Sequence, residues 1–150
     1  MPGTGTRTEI TRRIAADPTS TALLLAGPTA FELWPGVCRI EDVAGGMIVE
    51  TALANDRTVA ANVRALPPQR TPTSFVTRFT WSGPGLPATS GELTLTNAPA
   101  RDGERATLAG LVLDSEGLEF SALDQGSLTA MAQGFLANLA RAAELRNRAA

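Results

Sequence analysis

From Gln125 to Arg148 apolar side chains return at steps of three and four, at Leu128, Met131, Ala132, Phe135, Leu139, Ala142 and Ala143. That spacing predicts a single helix roughly 30 Å long with one continuous apolar stripe. Upstream the period changes to two, the signature of strands with one buried face. A long amphipathic helix after a series of antiparallel strands has to bury its stripe against the sheet. The expected fold is therefore α+β, with a curved sheet wrapped on the terminal helix.

Taken in order, Met1–Gly5 reads as a mobile tail and residues 6–150 as a single domain. Thr6–Ala15 alternates as a half-buried strand, with Arg12 out of place on its apolar face. Either Arg12 snorkels out at a strand end, or it turns its guanidinium toward a ligand's oxygen atoms. Asp17-Pro18 is a helix start, a carboxylate cap followed by a proline whose missing N–H costs nothing there. This helix carries Leu23, Leu24 and Leu25. Gly27-Pro28 ends it, and a second short helix holds Phe31, Leu33 and Trp34 before Pro35-Gly36.

Six further strands are predicted: Val37–Ala44, Met47–Leu53, Thr58–Leu66, Thr73–Ser82, Thr89–Asn97 and Ala106–Asp114. Gly45-Gly46, Asn55-Asp56 and Asp102-Gly103 supply turns, and Pro67, Pro68 and Pro72 force a loop. Phe75, Thr77, Phe79 and Trp81 share one face of a strand and form the chain's strongest inward wall. Leu93 and Leu95 point inward from the next strand. Ser121 with Asp124 is one candidate start for the last helix, and Gly126-Ser127 competes with it. The total is a seven-stranded sheet, two short helices after the first strand, and one long C-terminal helix.

Composition narrows the chemistry. The chain has 150 residues, a formal net charge of −2 and no basic run longer than Arg12-Arg13, which argues against nucleic acid as a partner. No apolar run is long enough to span a bilayer and Met1–Thr8 has no signal-peptide core, so no stable membrane insertion and a cytoplasmic location are expected. The chain has no histidine, which removes Ser-His-Asp and Cys-His nucleophiles and histidine metal sites. It has no lysine either, which removes Schiff-base chemistry. Cys38 is the single cysteine, so no internal disulfide forms, and it reads as a small filler or incidental residue. Glu41 and Asp42 are adjacent on a strand, on opposite faces, so they are no acid/base pair. Gly83–Ala88 superficially fits a dinucleotide-binding pattern, but two prolines occupy it and a strand follows. Neither a cofactor nor a metal is expected.

The order of elements resembles that of the START-like superfamily, also called SRPBCC. Arg13-Ile14-Ala15-Ala16-Asp17-Pro18 is similar to that family's exit from its first strand into a proline-started helix. Trp34-Pro35-Gly36-Val37 resembles its tryptophan-bearing turn into the second strand, and Ser127–Arg146 its last helix. The resemblance implies a helix-grip fold with a hydrophobic cavity between sheet and helix, used for lipids, sterols, polyketides or other apolar small molecules.

The candidate ligand-binding residues are Arg12, Phe31, Trp34, Phe75, Thr77, Phe79, Trp81, Leu93, Met131, Phe135 and Leu139. The aromatic side chains Phe75, Phe79, Trp81, Phe120 and Phe135 would either fill a core or line a pocket. Small residues at Thr77, Gly91, Ala109, Ala132, Ala142 and Ala143 are expected to leave volume for a guest. The expected function is binding or transport of a lipid, polyketide or isoprenoid-like molecule. The alternatives are a polyketide cyclase or dehydratase in which Arg12 polarises a carbonyl, and an interaction protein with a solid interior. A second copy of the chain is admitted as a partner.

Overall fold

The computed structural model describes residues 6–25, 28–52, 57–84, 86–99, 105–116 and 125–149. Among these residues eight antiparallel strands make one sheet: β1 (Thr6–Ile14), β2 (Val37–Val43), β3 (Gly46–Ala52), β4 (Thr58–Ala65), β5 (Gln69–Thr71), β6 (Ser74–Gly83), β7 (Leu86–Asn97) and β8 (Thr107–Glu116). Their order is β1-β8-β7-β6-β4-β3-β2, with β5 attached to β6. α1 (Pro18–Leu23) and a 3₁₀ helix (Pro28–Leu33) join β1 to β2, and α2 (Gln125–Ala149) closes the chain. The sheet curves and α2 lies against it, a helix-grip arrangement.

Local chemistry accounts for the elements. The Ser20 backbone N–H donates to Asp17 Oδ1 at 2.8 Å, capping α1 with Pro18 in its first turn. Gly45 takes φ of 83°, which lets Ala44 and Gly45 turn β2 back into β3 with Val43 opposite Gly46. Two expectations need correction. β5 lies inside the proline-rich segment expected to be a loop, pairing Gln69–Thr71 with Ser74–Val76. β7 begins at Leu86, three residues early, because β6 runs on to Gly83 and pairs it with Leu86. The expected tail at Met1–Gly5, the turns at Asn55-Asp56 and Asp102-Gly103, and the helix start at Ser121 lie outside the described residues.

The packed part of the core sits where α2 meets β1, β7 and β8. β8 alternates without a break: Thr107, Ala109, Leu111, Leu113 and Ser115 are buried, while Leu108, Asp114 and Glu116 are exposed. Leu93 and Leu95 on β7 join them, and Leu128, Ala132, Leu136, Leu139 and Ala143 descend from α2. Each fully buried leucine contributes about 1.5–3 kcal/mol. Leu136 and Ala140, outside the predicted stripe, are buried too, so α2 is gripped over a wider arc.

Three polar contacts fix the helix and the first crossing. Glu144 Oε2 accepts the Ala15 N–H at 3.0 Å. Asn138 Nδ2 donates to the Leu33 carbonyl at 2.7 Å, closing the end of the 3₁₀ helix onto α2. Thr107 Oγ1 donates to the Ala16 carbonyl at 2.7 Å. Gly134 explains its place in a helix: a Cβ there would overlap Pro35, so the missing side chain lets the turn before β2 touch α2.

Candidate ligand-binding hollow

On the other side of that core the sheet and α2 part. A hollow of about 460 Å³ opens there, within the usual range for small-molecule sites. Phe31, Trp34, Phe75, Thr77, Phe79, Leu93 and Phe135 line it, seven of the residues expected from sequence. Four elements bring them together: the inward face of β6, Leu93 on β7, the 3₁₀ helix with its exit, and the middle of α2. Asp42, Met47, Leu66 and Pro68 supply the facing wall.

Four rings meet at one side of this hollow. Trp34 stacks on Phe135, with centroids 4.5 Å apart and planes at 21°. Phe79 stacks on Trp81 at 5.6 Å and 22°. Trp34 also meets Trp81 edge-on at 5.4 Å and Phe79 edge-on at 6.1 Å. Such pairs are worth about 0.5–1.5 kcal/mol beyond the area they bury. Trp34, Phe79 and Phe135 are all 9% exposed or less, so the same side chains are core on one side and wall on the other.

Beyond Trp34 lies a second, smaller hollow of about 50 Å³. Phe31 and Trp34 border both spaces; Trp81 and Met131 border only the smaller. Its remaining lining comes from Val37 on β2, Val49 and Thr51 on β3, Val59, Ala61 and Val63 on β4, and Leu86 on β7. Trp34 therefore stands as a partition between two apolar compartments. The alternation on β3 and β4 that places these side chains was legible in the sequence, yet none carries an aromatic ring to single it out.

Two candidates stand apart. Leu139 is fully buried among the leucines of the packed core. Arg12 is exposed, opposite Ala109 in the β1–β8 register, and lines neither hollow. Asn138, another polar residue near the interior, is engaged with the Leu33 carbonyl. The small residues act differently from expectation. Ala109, Ala132 and Ala143 are buried in close packing, and the space over Gly91 is filled by the ring of Phe79. Of that set only Thr77 lines the larger hollow. Phe120 lies outside the described residues.

The polar complement of the hollow is sparse. Asp42 is exposed on β2 at its edge and Thr77 lies within it; Cys38 is exposed on β2, its Sγ donating to the Glu50 carbonyl at 3.4 Å. Among the described residues no cluster of three histidine, cysteine, aspartate or glutamate side chains could hold a metal, and no helix is long and apolar enough to cross a membrane.

A curved antiparallel sheet closed by one long helix over an aromatic-walled hollow defines the helix-grip class, and solved structures share it. The chain is similar to a conserved protein from Geobacillus kaustophilus, with a TM-score of 0.67, 11% identity, and 93% of this chain and 95% of that one covered. A protein from Chromobacterium violaceum matches with a TM-score of 0.64, 20% identity, and coverage of 92% and 97%. The di-domain ARO/CYC StfQ from the steffimycin biosynthetic pathway matches with a TM-score of 0.58 and 18% identity over 95% of this chain and 51% of its own. At these identities the likeness is one of fold. No protein-family model matches the chain, and no curated protein matches it in sequence.

Proposed function

We propose that the protein binds an apolar small molecule, of lipid, polyketide or isoprenoid character, in the hollow between β6 and α2. One observation carries the reading: about 460 Å³ of space is walled by four phenylalanines and a tryptophan, with Asp42 the one charged lining residue among those described. Apolar surface of that kind gains by exchanging water for a guest, and the flat rings of Phe79 and Phe135 favour a planar or chain-like one. A carrier or sensor role fits this lining better than catalysis.

A cyclase reading has its own support in the fold shared with the di-domain ARO/CYC StfQ. It would need the hollow to shape a reactive chain, with Asp42 and Thr77 as its polar groups. Arg12 is too far out on β1, and too exposed, to serve as the polarising group.

Native mass spectrometry and solvent extraction of freshly purified protein test the proposal. The expected result is a bound apolar compound, lost in Thr77→Trp, whose indole occupies the space. A protein that emerges empty and takes up no planar or chain-like apolar compound when challenged would sink it.

A further inference from the structure

A groove of about 560 Å³, more polar than the hollow, lies on the far side of Phe75. Phe75 borders both spaces, so one ring forms the wall between them. Two arginines reach the groove from separate parts of the chain, Arg70 from β5 and Arg105 from the approach to β8. The Arg70 guanidinium lies over the Phe75 ring, 5.4 Å from its centroid, which holds the cation against the floor. Among the described residues Arg70 forms no ion pair.

Hydroxyl groups crowd the same rim. Thr71 Oγ1 lies 2.8 Å from Ser74 Oγ, and the Thr73 backbone N–H donates to Thr71 Oγ1 at 3.3 Å, so the turn between β5 and β6 is internally tied. Asp17 is the one carboxylate among the described residues of the lining. It accepts from Ser20, and two guanidinium groups against one carboxylate leave the described lining with an excess of positive charge. What remains is a positive, hydroxyl-lined recess. Guanidinium forks and hydroxyl donors together are the chemistry that recognises an oxyanion.

We propose that this groove is a second ligand site, which takes a small polar molecule carrying a phosphate or carboxylate held by Arg70 and Arg105. It is independent of the apolar hollow, and its failure would leave that reading untouched.

Three probes with one backbone test it: glycerol 3-phosphate, glycerate and neutral glycerol, each titrated into the ¹⁵N-labelled full chain at low ionic strength. Either anion is expected to give saturable shifts at the amides of Arg70, Thr71, Thr73, Ser74, Arg105 and Ala106, and glycerol none. Whichever anion binds more tightly names the oxyanion. Arg70→Gln and Arg105→Gln each weaken binding about tenfold, the loss of one charge-assisted contact, and Arg70→Lys weakens it less. Salt above about 0.1 M weakens it as well, because the arginines are exposed. The melting temperature serves as the control for folding. No saturable shift with either anion, an equal shift with glycerol, or binding that survives in the folded Arg70→Gln/Arg105→Gln double variant would each overturn the proposal.

Discussion

The two ends of the sheet are built to different rules. Around β8, every second side chain is buried against α2, and Leu93, Leu111, Leu113, Leu128 and Leu139 are at most 2% exposed. Around β2, five of seven residues are exposed, and the inward side chains of β3 and β4, Val49, Thr51 and Val63, close around the small hollow of about 50 Å³. α2 grips one half and only overhangs the other. The lesson is a division of labour: the β1–β8–β7 half holds the fold together, which leaves the β2–β3–β4 half to stand away from the helix and keep a hollow.

Substitution sharpens this contrast most at its extremes. Leu139→Ala, in the packed half, is expected to cost about 3–5 kcal/mol, because its neighbours are already at close packing and cannot collapse on the void. Met47→Ala, on the wall of the hollow and half-buried, should cost no more than about 1 kcal/mol. Urea unfolding of both variants measures the difference, and equal losses would erase the distinction between the two halves.

A smaller effect is expected at the seam. Gly134→Ala gains about 1 kcal/mol of helix propensity, yet its Cβ must displace Pro35. A net loss of about 1–2 kcal/mol is expected, since overpacking here pushes α2 off the turn that leads into β2. A gain in melting temperature would show that this contact is slack.

The smallest test concerns Asp17, which caps α1. Its carboxyl lies below the ordinary carboxylate range, through hydrogen bonds from Ser20 first and then the charge of Arg105. A depressed folded-state pKa means the stabilisation is fully present above the unfolded value of 3.8 and is lost as pH falls through the lower folded one. Asp17→Ala should therefore cost about 1 kcal/mol at neutral pH and progressively less in acid below that range. A cost independent of pH would assign the effect to packing.

Much of this was legible in the chain and part was not, for physical reasons. The wall of β6 showed itself because Phe75, Phe79 and Trp81 alternate with polar residues. The start of α1 did so because Asp17-Pro18 is a cap in both residue types. β5 was hidden, since Gln69, Arg70 and Thr71 carry no apolar pattern and prolines flank them. The hollow itself was expected for a reason that fails: small residues on β7, β8 and α2 admit closer packing instead of leaving room, and the volume comes from the opposite wall. No pattern of side chains encodes how far a sheet stands from a helix. Arg12 shows the same limit, for its place in the alternation put it inward while the strand's exit let it reach water.

The chain contains two tryptophans and no tyrosine, and both indoles belong to the four-ring cluster, one of them forming the partition. Its ultraviolet emission is therefore reported almost wholly from the boundary of the two compartments. A guest bound as proposed would press on that boundary and change the colour and intensity of the light, an optical gauge of occupancy with no label attached.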